Sequence, residues 1–225
     1  MLMQAIGGLL PAAVGVALSP IPIIAVVLML GTPKARSNGP AFALGWILGL
    51  AGVATAVLLL VHGASDPDST ASSGVDWFQV GLGALFFGLA RRQWQKRPKE
   101  GEDAELPAWM AKVDAFDPIK AAGLGVVLSA ANPKNLALTL AAAGQIAQAG
   151  LGAGQDAIAV AIFVAIASST TVGLVAFFLV ASSRAAAPLG RIKDVMARHN
   201  AVIMVVIFLI LGAKLLGDGL SGVSR

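Results

Sequence analysis

Apolar residues in this chain run in long uninterrupted stretches, without the two-residue alternation of strands or the one-sided stripe of surface helices. Stretches near 4–30, 40–62, 77–92, 118–146, 157–181 and 200–220 each predict a membrane-crossing helix, the third being the shortest. About 20 mostly apolar residues suffice to cross the hydrocarbon layer. The expected fold class is therefore an all-α integral membrane protein with six transmembrane helices. Residues 93–117 form the one long polar stretch and divide the chain into three-span segments, 1–92 and 118–225. Within this linker Trp109, Met110, Val113 and Phe116 recur at helical spacing opposite Lys112 and Asp114, which suggests a short interfacial helix on the cytoplasmic side, the alternative being a disordered charged linker.

The two segments resemble each other. Gly15-Val16-Ala17-Leu18-Ser19 in the first stretch matches Gly125-Val126-Val127-Leu128-Ser129 in the fourth at four of five positions. Each is followed by helix-breaking proline: Pro20 and Pro22 in the first copy, Pro133 in the second. A one-residue insertion aligns Pro22 with Pro133. Because each copy holds an odd number of spans, the second enters the membrane from the opposite side. The expected architecture is a 3+3 inverted repeat with proline-broken first and fourth helices, an arrangement used by transporters.

Charge gives the orientation. Lys and Arg fall in the first, third and fifth loops, from Lys34 and Arg36, through the cluster Arg91 to Lys120, to Arg184, Arg191, Lys193 and Arg198; the second and fourth loops hold none. The positive-inside rule then puts both termini outside the cytoplasm of a multi-pass plasma-membrane protein. Acidic Asp66, Asp68 and Asp76 lie in the second loop, on the outward side. Met1 to Ala5 lacks the basic start of a secretory signal, so the first stretch reads as a retained span.

Composition agrees: 57% of residues are hydrophobic, 12% are charged and 26 are glycine, which argues against a soluble enzyme. The net basic charge is explained by topology, so no nucleic-acid partner is expected. There is no cysteine for a thiolate site, His62 and His199 sit at opposite membrane faces, and no Walker, catalytic-serine or paired-carboxylate pattern occurs. Neither enzymatic activity nor a cofactor or metal is expected.

The chemistry concentrates at Asn132-Pro133-Lys134-Asn135. Lys134 follows Lys120 by fourteen residues, which is ~20 Å into a layer ~30 Å thick. An ammonium there costs at least ~2.5–3.5 kcal/mol, so it demands a partner or a wet cavity. No carboxylate lies inside a predicted span at its depth, Asp218 being in the last turn of the sixth. Carbonyls freed by Pro133, or an anionic substrate, remain as counter-charge. Asn132, Lys134 and Asn135 are the expected substrate-binding residues, with Ser19 and Ser129 as hydroxyls from the two copies or as packing residues. Pro20, Pro22 and Pro133 shape the cavity or merely kink the helices. Ser168, Ser169, Thr170 and Thr171 put four hydroxyls mid-way along the fifth span, some of them expected to face the cavity. Gly45-Trp46-Ile47-Leu48-Gly49 has the small-xxx-small spacing of close helix approach.

These residues carry a family resemblance. The proline-broken first and fourth helices, the Asn132-Pro133-Lys134-Asn135 signature, Ser19-Pro20-Ile21-Pro22, Pro107-Ala108-Trp109 and Gly212-Ala213-Lys214-Leu215-Leu216-Gly217 together resemble the GAP/Sap family of the lysine exporter (LysE) superfamily. The resemblance implies an actinobacterial plasma membrane and a role in moving sulfolipids, glycopeptidolipids or related envelope lipids. It makes the expected function that of a transporter or flippase for an anionic or glycosylated lipid. The alternatives are a small-solute exporter of amino acids or ions, as in the wider superfamily, or an accessory to a larger lipid export pump. The partners that follow are a membrane lipid, such a pump, and a second copy of the chain through exposed glycine faces.

Overall fold

A computed structural model describes residues 1–63, 71–95, 97, 108–181 and 184–223. The expected loop residues Asp66 and Asp68, and linker residues 96 and 98–107 including Pro107, lie outside the described residues, as does the side chain of Asp76. Described elements are helical throughout: α1 (Leu2–Ala17), α2 (Pro20–Leu30), α3 (Ala35–Gly63), α4 (Ala71–Gln95), a 3-10 segment (Ala108–Ala115), α5 (Pro118–Val126), a π segment (Val127–Ala131), α6 (Pro133–Gln148), α7 (Ala153–Ala181) and α8 (Ala186–Val223).

Among the described residues, three helices are long and apolar enough to cross a bilayer, over Ala35–Val61, Ala153–Ala181 and Ala186–Gly222. The pair α1 and α2, bent by 48° at its break, makes a fourth as a broken span, and Pro118–Ala131 is a shorter apolar helix. The chain is thus an all-helical, multi-pass membrane protein.

Both breaks begin at proline. Proline lacks an N–H and so suits the first position of a helix, where none is needed. Pro20 opens α2 and Pro133 opens α6, behind caps with nearly the same extended backbone: Ser19 at φ −71, ψ 111 and Asn132 at φ −69, ψ 119. The helix thus opens at Pro20 as it does at Pro133, while Pro22 lies within α2. Pro20 follows Gly15 by five positions and Pro133 follows Gly125 by eight; the π segment occupies the longer interval.

Helix contacts follow the small residues. A Cβ on Gly45 would come 2.0 Å from the Ala122 carbonyl oxygen, and one on Gly125 would come 2.3 Å from that of Phe42. Backbone of α3 therefore lies against backbone of α5, as the small-xxx-small spacing predicts, with Trp46 fully buried beside the contact. On the other side α4 and α8 pack antiparallel, Gly83 against Leu216 and Gly212 against Phe87. Gly150, with φ 57, makes the left-handed turn that closes α6 ahead of α7.

Helix α8 starts at Ala186, well before the expected span at 200. Hydropathy detects the part inside the bilayer, whereas Arg191, Lys193 and Arg198 continue the same helix beyond it. The 3-10 segment carries Trp109, Met110 and Val113, with Phe116 just after; its Met110 is buried and its Val113 joins the helical core, against which Trp109 and Phe116 pack. Its apolar face thus packs on protein rather than lying free for lipid, and Asn38 Nδ2 on α3 ties it down by donating to the Phe116 carbonyl at 3.0 Å.

Candidate functional site

The site arises from what each break does to its helix ladder. In an uninterrupted α-helix the Gly15 carbonyl would accept from the Ser19 N–H and the Val16 carbonyl from residue 20. Residue 20 is proline, and the Ser19 N–H turns back to Val16 at 3.1 Å. That leaves the Gly15 and Ala17 carbonyls open at the C-terminal, electronegative end of α1. Lys134 Nζ donates to Gly15 at 2.8 Å and Thr170 Oγ1 donates to Ala17 at 2.5 Å.

At the second break the π segment shifts the register. The Asn132 N–H bonds the Val127 carbonyl at 3.1 Å, so Leu128, its α-helical partner, is left over. Asn135 Nδ2 donates to that Leu128 carbonyl at 2.9 Å. Its amide oxygen consequently faces the other way and accepts from Ser19 Oγ at 2.7 Å. Lysine has only donors, so the Ser19 oxygen also accepts from Lys134 Nζ, at 2.7 Å.

A continuous polar chain thus runs from Gly15 through Lys134, Ser19 and Asn135 to Leu128, joining the two breaks. Its side chains are almost fully buried: Lys134 is 5% exposed, Ser19 2% and Asn135 0%. Among the described residues Lys134 has no carboxylate partner; Asp218 pairs instead with Lys214 and accepts from Gln145 Nε2 at 3.3 Å. An ammonium has three N–H donors, and two of them are used here.

Residues 9–221 match the family described as SfLAP: Sap, sulfolipid-1-addressing protein. The chain belongs to the Sap family. Neither a curated protein nor a solved structure gives a match. Membership, together with the membrane helices, fits a lipid-related membrane role.

The Sap chain does not gather every expected residue. Ser19, Lys134 and Asn135 come together as above. Asn132 acts as the cap of α6, its Oδ1 accepting from the Lys134 N–H at 3.1 Å. Ser129 donates to Val126 on its own helix at 3.1 Å, and its hydroxyl lies against Gly49, so it serves the packing of α3. Pro20 and Pro22 are buried, and Pro133 opens α6. Of the hydroxyls on α7, Thr170 seals the first break and Ser169 bonds its own helix at Ile166. Ser168 and Thr171 are buried, the Ser168 hydroxyl without a hydrogen-bond partner.

Sequence reasoning assigned the freed carbonyl to Pro133. The acceptor lies at the other break: Lys134 bonds the Gly15 carbonyl, left open because the Ser19 N–H turns to Val16. Gly15 and Leu128, which supply only backbone oxygen, leave no residue-type signal. Counting back from each proline to the unpaired carbonyls would have found the region but not the π register.

Proposed function

We propose that this Sap-family protein translocates an anionic or glycosylated cell-envelope lipid, with Lys134 as the group that meets the anion. One observation carries the reading: a buried ammonium, without a carboxylate, is held between two broken helices by a carbonyl and a hydroxyl. These neutral partners hold the cation more weakly than a carboxylate, so a sulfate or phosphate oxygen can displace them. Asn132 and Asn135 stand on either side of Pro133 and orient Lys134, one through its N–H and one through Ser19. In the described arrangement the site is closed. Opening the bend between α1 and α2 would withdraw Gly15 and Ser19 and turn the cation toward a headgroup.

The same reading takes the chain as six spans in a 3+3 inverted repeat, the two halves supplying the two breaks. The equivalent caps at Ser19 and Asn132 support this, as do the helix contacts. Exchanging α1 and α2 with α5 and α6, α3 with α7, and α4 with α8 turns the packing of the first broken pair on α7 into that of the second on α3, and maps α4 against α8 onto itself.

The test is translocation in proteoliposomes. A fluorescent sulfated glycolipid is expected to flip in the presence of the protein, and Lys134→Ala to slow it by about tenfold or more, the loss of one charged contact. Lys134→Arg, which keeps charge but changes the donor geometry, should fall between. Equal flipping by Lys134→Ala refutes the assignment of the site; no flipping above empty vesicles refutes the function.

A further inference from the structure

Between α3 and α7, away from the breaks, lies a cavity of about 580 Å³. Its making is visible in α7, where Ala153, Ala157, Ala161 and Ala165 recur every fourth residue and all face outward. Residues at that spacing share one helix face. Four methyl groups in a column leave a trough that larger side chains would fill. Leu58 and Leu59 of α3 form the opposite wall, and Asp156 lines the outer end.

Position, charge and length indicate the occupant. From Ala153 to Ala165 is twelve residue steps, ~18 Å of helix, against ~15 Å for half of a hydrocarbon layer. The trough thus runs the depth of one leaflet. It lies at the ends of α3 and α7 remote from Lys34, Arg36 and Arg184, and so in the leaflet away from the cytoplasm under the positive-inside rule. Its inner end, Ala165, is five residues from Thr170, which seals the first break, or ~8 Å along the helix. Asp156, only 7% exposed, sits in the first turn of α7, where the helix dipole favours a carboxylate.

A hydrocarbon tail gains little by leaving lipid for an apolar wall, because lipid tails are as apolar as leucine. The trough can therefore select by shape and by its one charged group. A carboxylate repels sulfate and phosphate and accepts hydrogen bonds from hydroxyls. We propose that this trough holds one acyl chain of a glycolipid in the outer leaflet, with the sugar hydroxyls donating to Asp156. This rests on the lipid reading above and extends it: the break meets the anionic group during transfer, and the rim receives the sugar once the lipid lies in the outer leaflet.

The test uses the full chain in phosphatidylcholine nanodiscs with photoreactive, diazirine-tailed lipids, the labelled peptides being mapped by mass spectrometry. A glucosyl diacylglycerol probe is expected to label 51–59 and 153–165 about tenfold above a phosphatidylglycerol probe, the size of one charge-assisted hydrogen bond. Asp156→Ala should bring that ratio near one, and Ala161→Trp should abolish labelling of the trough. If Ala161→Trp is not monodisperse, Ala157→Phe fills the same column. Equal labelling of lipid-facing Leu85 and Ile210 overturns the proposal, as does an unchanged ratio in Asp156→Ala. Equal labelling by a phosphatidylethanolamine probe overturns the sugar assignment. A disulfide between two Ala161→Cys copies overturns it as well, the trough then being filled by a second chain. Translocation is scored separately: labelling without flipping removes the proposed function alone, and Lys134-dependent flipping with uniform labelling removes the trough alone.

Discussion

Removing the lysine should harm the fold less than removing the serine beside it. Ser19 makes two hydrogen bonds in the polar chain, accepting from Lys134 and donating to Asn135. Interhelical bonds inside a bilayer average ~0.6 kcal/mol and reach ~1.7 kcal/mol, so Ser19→Ala is expected to destabilise by about 1–3 kcal/mol. It also leaves the ammonium with Gly15 alone. Lys134→Met loses two bonds of the same size but relieves a charge that costs at least ~2.5–3.5 kcal/mol to insert. Because part of that relief also reaches the unfolded chain, the net change is expected to stay within about 1 kcal/mol. The double variant Ser19→Ala/Lys134→Met should be more stable than Ser19→Ala alone, since the stranded cation is gone. Reversible unfolding in mixed micelles measures all three, and the interaction energy follows from the cycle. A Lys134→Met variant less stable than Ser19→Ala, or strictly additive effects, would refute the view that neutral partners merely tolerate the cation.

Further outcomes follow from single residues. Gly125→Ala, which drives a Cβ into the Phe42 carbonyl, should cost about 1–3 kcal/mol by thermal denaturation, whereas Gly123→Ala, with nothing within 4 Å, should be neutral or stabilising. Asn132→Ala removes the α6 cap and should cost about 1 kcal/mol, while Asn132→Ser should retain most of it. Asp117 caps α5, and its bond from the Lys120 N–H holds the carboxyl below its ordinary range. Its contribution is complete above the unfolded value and is lost as pH falls through the lower folded one, so acid unfolding of Asp117→Asn should lack that step. The chain has no cysteine, so a thiol introduced as Gly152→Cys should react with an impermeant maleimide from outside intact cells, and Ser37→Cys should not.

Much of this fold was legible because proline and charge are written in the sequence. Pro20 and Pro133 mark the breaks, and Lys134 without a carboxylate at its depth marks the polar centre. Other parts had no letters to read. The start of α8 at Ala186 was hidden because helix continues past the bilayer through charged residues that hydropathy counts as loop. The likeness of the openings at Pro20 and Pro133 was obscured by Pro22 and by a π segment over Val127–Ala131, which lengthens the interval before Pro133. Ser129 matched Ser19 in the repeated motif, yet the three extra residues carry it away from the break and onto α3. Residue type therefore located the polar centre, and backbone hydrogen-bond accounting decided which residues it contains.

The bond from Lys134 to Gly15 spans 119 positions, and this has a meaning for biogenesis. The acceptor is synthesised first and waits in the membrane; the donor arrives only with α6. Until α6 docks on α1, the Lys134 side chain lacks the Gly15 and Ser19 partners it has in the fold. The same lysine that is proposed to meet substrate therefore also ties the last-made break to the first.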